Sequence, residues 1–494
     1  MSGDTLARVE AIVDASGVAE GIEALLPLGV RRRQLRVRTL LVGILLALAD
    51  GRPAHLIRIH AALLGVRDDE RRRLGVEVEH HGVAHVLTYR QVEYTFSLVV
   101  RALAKEHPDG APCAALAPVL DALVEASIPA GYKSTSSSLA VDWSDLEAFA
   151  FPATSARQSA DPEASWGHRR GGPSRGELFF GYFFSAATMV ADESGEPVPE
   201  LVRRMALSTC ALDPVRAVVP VLERLVGAGV RLGDVLADSG YAHRLAEHWA
   251  LPLRRLGAHL VMDLHPHDRG IRGTFGGAIC HNGNLYCPAT PGALLDLEPL
   301  ARHADEASIA AHDARSAELA CYKLGRISTD DADGYHRVMC PAAMGKVRCP
   351  ARPDSMALSY ARPQITSPPL PAPTCCSQKT LSVPPEVNAK TAQKHDYPSQ
   401  AHRVSFARRT AVERAYSTMK DPASTDVTRG WCRVMGLAAI SLLLACAVVV
   451  RNGRVVDAFE ERRRVDARRQ AAGLEPRTRK RRRRTLDDLI TSAG

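Results

Sequence analysis

The sequence predicts an α/β protein: a mixed sheet flanked by helices, with a helical N-terminal domain and a mostly β or irregular insertion. Three observations carry this expectation. Between residues 137 and 265, apolar runs of strand length and amphipathic helical stretches follow the order strand, strand, strand, helix, strand, helix, strand. That order implies a sheet whose later strands are parallel. Residues before and after this block follow a helical pattern. Residues 266–400 follow neither period, as expected of a subdomain inserted into a domain.

Residues 1–105 read as helical. Arg38 to Leu48 is an apolar helix, Ala49-Asp-Gly-Arg-Pro53 a turn, and Ala54 to Leu64 a second helix. Arg31, Arg32, Arg33, Arg36 and Arg38 precede the pair, and Arg52, Arg58 and His60 lie in or near the second helix. Two short helices across a Gly-containing turn fit a DNA-contacting helix-turn-helix, within a domain spanning 1–130. Another helix starts near Leu87, with Thr88 as N-cap.

The first part of the α/β core is assigned to 131–265. Ser138-Leu-Ala-Val-Asp142 is a short apolar run ending in a carboxylate. Gly181 to Val190 and Glu200 to Ser208 read as strands around an Asp-Glu-Ser-Gly turn. Pro214 to Val226 is an amphipathic helix stopped by Gly227 and Gly229. Val235-Leu-Ala-Asp238 is a second run ending in a carboxylate. His243 to Leu256 is helical again, and Ala258 to Asp263 is the last strand. After the insertion at 266–400, residues 401–455 return to helix. Residues 456–494 form a basic tail.

Composition bounds the function class. Of 494 residues, 46% are hydrophobic and 24% charged, ordinary for a globular protein of two to four domains. The net charge is +8. From Arg451 to Arg484 there are 14 Arg/Lys against 5 Asp/Glu, a local +9 that leaves the rest of the chain at 8 − 9 = −1. A run of Arg477, Arg479, Lys480 and Arg481 to Arg484 is attracted to polyanions through counterion release; a solvated tail without a partner is the plain alternative. No signal-peptide pattern occupies the first 30 residues. The apolar run 436–450 is shorter than the ~20 residues that cross a bilayer, so a buried core helix and a cytoplasmic protein are expected. Eleven cysteines in a chain this long are not a secreted disulfide framework.

The chemistry concentrates near the C-terminal end. Phe406, Arg409, Glu413 and Lys420 lie at offsets 0, 3, 7 and 14, which return to one side of an α-helix. That stripe presents an aromatic, a guanidinium, a carboxylate and an ammonium; a surface helix with i,i+4 ion pairs would show the same spacing. Asp142 and Asp238 each end an apolar run, where functional groups gather in open α/β sheets. Three carboxylates meeting at one point repel unless a cation joins them, and hard oxygen ligands select Mg2+ or Mn2+. Two such ions would activate a water or 3′-hydroxyl and stabilise the leaving oxygen. Arg409 and Lys420 suit phosphate contacts.

Asp142, Asp238 within Leu-Ala-Asp-Ser-Gly-Tyr241, and the Arg-x3-Glu-x6-Lys helix resemble the DDE transposases of bacterial insertion sequences. The cut-and-paste group with a Tyr-x2-Arg-x3-Glu-x6-Lys signature is the nearest likeness; Phe406 stands where that signature has Tyr, which removes one hydroxyl. The resemblance covers about residues 35–455. It implies an RNase H-like core with an insertion between the second carboxylate and the glutamate. It implies that Asp142, Asp238 and Glu413 ligate the metals and that Phe406, Arg409 and Lys420 face DNA. The implied reaction is cleavage at element ends, then strand transfer into target DNA. The implied partners are double-stranded terminal inverted repeats, target DNA, and further copies in a dimer or larger synaptic complex. Two other readings stay open: an inactive or domesticated DNA-binding copy, and an RNase H-like nuclease that joins no strands.

Other residues call for blander readings. Asp145 and Glu147, past the expected strand end, read as surface carboxylates, and Asp234 as the start of its strand. Trp143 reads as packing, and Trp431 as a cap of the apolar helix 434–450. Cys287, Cys340, Cys349, Cys375 and Cys376, with Cys280 and His281, cluster in the insertion. Reduced structural cysteines are expected there, with a tetrahedral zinc as the alternative. His265 and His267 read either as a metal pair or as a polar loop.

Overall fold

A computed structural model describes residues 3–27, 33–81, 83–104, 115–169, 176–301 and 303–477. Arg31, Arg32 and the basic run 479–484 lie outside these residues. The molecule is mixed α/β. Its central sheet has five principal strands: β1 (Leu139–Glu147), β2 (Leu178–Met189), β3 (Val202–Thr209), β4 (Asp234–Ala237) and β5 (His259–Met262). They stand in the order β3-β2-β1-β4-β5, with β1, β2 and β3 antiparallel and β4 and β5 parallel to β1. A short strand, Ser165–His168, extends the β2 edge beside β3.

Alternation along each strand divides the apolar side chains between two faces. Leu139 and Val141, Ala187 and Met189, Val235 and Ala237, and Leu260 and Met262 join a core with the helices Pro214–Gly227 and Ala250–Arg255. Ala140, Phe184, Ala186, Leu236 and Val261 face the other way. Their core includes the helices Val37–Ala49, Leu116–Ala126, Thr410–Lys420 and the apolar half of Leu437–Ala471. N-terminal helices, sheet and C-terminal helices therefore share one buried cluster.

Several expectations change. The turn and both short N-terminal helices form as read, but Val37–Ala49 is buried along nearly its whole length against the C-terminal helix, because it is apolar all round. Residues 1–105 also hold a hairpin, Glu77–His80 with Val83–Val86, so the stretch is not wholly helical. The apolar C-terminal segment continues as one 35-residue helix, so the tail stays helical to Ala471. That helix is long and apolar enough to cross a membrane by length and composition, but its apolar half lies in the protein core. Trp431 does not cap it. Leu437 N–H donates to Glu163 (2.7 Å) and Gly436 N–H to Asp161 (3.2 Å), while the Trp431 carbonyl accepts from Ala54 (2.8 Å). Deep in the same helix, Asn452 accepts from the Val202 amide (3.0 Å) and donates to its carbonyl (2.8 Å), joining helix to β3.

The insertion carries two three-stranded antiparallel sheets and a helix, Glu306–Cys321, that the weak local pattern hid. The first sheet is Ile271–Phe275, Ala278–His281 and Asn284–Tyr286; the second is Gly325–Arg326, His336–Met339 and Leu381–Val383.

Candidate active site

Asp142 sits in the middle of β1, not at its end, since pairing with β2 continues from Leu139 through Glu147. Its side chain is on the face covered by the helix Thr410–Lys420. Asp238 follows β4 directly and caps the short helix Ser239–Ala242, its Oδ1 accepting from the Gly240 amide at 2.9 Å. Gly240 is glycine for space. A Cβ there would meet the Trp143 ring at 2.7 Å. Trp143 packs on Tyr241 (centroids 4.7 Å), which packs on Trp249 (4.6 Å), so it is the packing residue expected.

The signature segment is not one continuous α-helix. Gln400–Phe406 gives way to a 3-10 turn, Ala407–Arg409, before Thr410–Lys420. Arg409 lies on that turn. Its Nη1 donates to Asp142 Oδ2 at 3.0 Å and its Nη2 pairs with Glu413 Oε1 one helical turn on. The Phe406 ring lies 5.7 Å from the same guanidinium and stacks on His402. Tyr416, buried, donates its hydroxyl to the backbone carbonyls of Asp142 and Phe184 and fastens the helix to β1 and β2. Lys420 reaches Ser144 Oγ (2.9 Å) and Asp145 Oδ1 (3.0 Å).

Charge is uneven here. Burial first, and the Asp238 charge second, push the Asp142 carboxyl up to about 7, against the pull of Arg409 and of the Trp143 amide. Burial would lower the pKa of Arg409, but Asp142, Glu413 and Asp238 together raise it. Three carboxylates thus surround one guanidinium. They do not converge on a point. Among the described residues, the three metal-capable side chains whose ligand atoms all lie within 4.8 Å of one another are His243, His265 and Asp268. Asp142, Asp238 and Glu413 do not form such a set, and Arg409 bridges Asp142 and Glu413. All-oxygen donors with surplus negative charge fit a hard divalent cation, best at Asp142 and Asp238. Glu413, half-exposed, is drawn to Arg409.

Asp145 is no plain surface carboxylate. Against its burial, Lys420 and Arg169 hold it below the usual carboxylate range. Glu147 also pairs with Arg169. Asp234 starts β4 as read, and it is buried between Lys394 (2.9 Å) and Arg408 (2.7 Å). Neither cation carried a local signal, since each is more than 150 residues away. At the loop after β5, His265 stacks on His243 at 4.0 Å, whereas His267 stands 6.4 Å from that ring. Asp268 also accepts from Lys390 at 2.7 Å, so the loop is ion-paired, and its metal-capable set joins His265 to His243 and Asp268 rather than to His267.

Compared with known proteins, the chain matches no family model and no curated protein.

Proposed function

We propose that this protein is a DDE transposase with an RNase H-like core, cleaving DNA at element ends and transferring the strand to target DNA. The single observation that carries the reading is the charge pattern of the site. Residues 142, 238 and 413, from two adjacent strands and a helix, set three carboxylates around one arginine, and Asp142 is pushed up to about 7. The mixed sheet, with three antiparallel strands and then two parallel ones, supports such a core. Asp142 and Asp238, with Glu413, would hold Mg2+ or Mn2+. When bound, the metal supplies an activated water or 3′-hydroxyl and a counter-charge for the leaving oxygen.

The chain's own residues supply position. The Gly240 amide fixes one oxygen of Asp238, and the Trp143 amide (2.8 Å) fixes one of Asp142, whose second oxygen accepts from Arg409. Arg409 holds Asp142 and Glu413 until a phosphodiester competes for its guanidinium, which suits bidentate contact. Lys420, at the far end of the helix, offers a point charge to the next phosphate. The partners are terminal-repeat and target DNA and further copies of the chain, in the cytoplasm.

Arg409 also favours a second reading, a DNA-binding copy without catalysis, because the guanidinium already satisfies two of the carboxylates. One experiment separates them. Duplexes carrying the inverted repeats that flank the coding region are incubated with purified protein and Mg2+. Nicking at the repeat boundary, absent with Asp238→Asn, supports the transposase. Binding without nicking supports the silent copy, and nicking without strand transfer supports a simple nuclease.

A further inference from the structure

We infer that the insertion holds a structural zinc ion on Cys287, Cys340, Cys349 and Cys376. These residues come from four separate segments. Cys287 directly follows the last strand of the first small sheet and Cys340 the middle strand of the second, while Cys349 lies in a turn and Cys376 on the short helix Thr374–Ser377. All four are buried free thiols. Cys287, Cys340 and Cys349 pack in one apolar cluster, and the Cys376 thiol, in the neighbouring cluster, faces Cys287. Cys375 is adjacent, its sulfur 3.9 Å from that of Cys376.

The backbone around them is shaped for thiolate sulfur. Cys287, Cys340 and Cys349 are each followed by proline. The Cys287 carbonyl accepts from Thr290 N–H at 3.0 Å and the Cys349 carbonyl from Arg352 N–H at 2.9 Å, so both open tight turns. Within each turn the amide two residues on, Ala289 or Ala351, faces the cysteine sulfur. Main-chain donors aimed at sulfur suit an anionic ligand, and proline pre-sets the turn. Four thiolates on one Zn2+ leave a net anionic centre. The Arg352 guanidinium faces Cys376, and its Nε is buried without a hydrogen-bond partner among the described residues.

No three of these sulfurs yet lie within 4.8 Å of one another among the described residues. A tetrahedral centre with Zn–S near 2.3 Å needs sulfurs about 3.8 Å apart. Cysteine rotation between staggered wells can supply that closure. The metal would then tie the first small sheet to the second and set where Lys390 and Lys394, which follow them, return to the core. This inference does not rest on the proposed transposition reaction.

The full chain, expressed with zinc and purified without chelator, is analysed for metal, and Zn2+ is then exchanged for Co2+. The expected result is one zinc per chain and the intense visible and charge-transfer bands of tetrahedral cobalt–thiolate. Cys349→Ser should lose or weaken both, and Cys210→Ser, at the end of β3 and outside the insertion, should keep them. A wild-type chain without zinc and without cobalt–thiolate bands overturns the inference, whatever the variants do. Zinc that survives Cys287→Ser and Cys349→Ser but is lost in His265→Ala also overturns it, because the metal would then sit on the histidine loop.

Discussion

The two ends of β4 carry the same residue in opposite electrostatic settings. At its start, Asp234 is buried and matched by Lys394 and Arg408. Beside it, against the burial that would raise it, hydrogen bonds from Lys394, Ser405 and His395 hold Glu193 down to about 2. Just past its end, Asp238 shares one arginine with Asp142 and Glu413, and Asp142 rises to about 7. Anions and cations balance at the first end, whereas three anions face one cation at the second. A folded chain closes its buried charges unless something from outside is meant to close them, and this separates the structural end from the candidate active end.

The largest test removes the surplus. Asp142→Asn or Asp238→Asn should abolish Mg2+-dependent nicking, a loss on the order of 10³-fold or more, while the protein still unfolds cooperatively. Retained nicking in either variant would erase the distinction between the ends. Next, Arg408→Ala leaves Asp234 buried with half its counter-charge and should cost about 3–5 kcal/mol in chemical denaturation. Arg409→Ala should cost markedly less, because Asp142 can take up a proton and Glu413 is half-exposed; equal costs would mean both ends are structural.

The pH dependence follows from the sign of the Asp142 shift. Its folded value, about 7, lies above its ordinary 3.8, so the folded state binds the proton more tightly. Stability from this group is therefore present at low pH and is lost as pH rises toward about 7. Asp142→Asn should gain on the order of 1–3 kcal/mol over wild type at about pH 8 and almost nothing near pH 4. A constant difference across that range would contradict the assigned shift. The smallest effect is Lys420→Ala. Asp145 keeps Arg169, so the stability loss should be about 1 kcal/mol or less, read by thermal melting.

Much of the scaffold was legible because its signals are local. The alternation in Leu139–Val141 and Leu260–Met262, and the apolar stripe of Pro214–Gly227, depend only on neighbours in sequence. The signature spacing likewise placed Arg409 against Glu413, one helical turn apart. The extent of β1 was not legible. Asp142 looks like a strand end in isolation, and only pairing with β2 carries the strand on to Glu147. The helix Glu306–Cys321 has no strong apolar face to betray it, and the hairpin at 77–86 is too short and exposed.

By itself, then, the sequence determined the order of the principal strands and helices of the central sheet, the two sheet faces, and the presentation of Phe406, Arg409 and Glu413 along the signature segment. These rest on periods of two and 3.6 residues and on contacts within a turn. Only the tertiary structure decided which charges meet. It put Arg409 between Asp142 and Glu413, gave Asp234 its cations from 394 and 408, and packed Cys287, Cys340 and Cys349 into one cluster. Coulomb forces act through space rather than along the chain, so partners more than a hundred residues apart leave no trace in local pattern until folding brings them within a few ångströms.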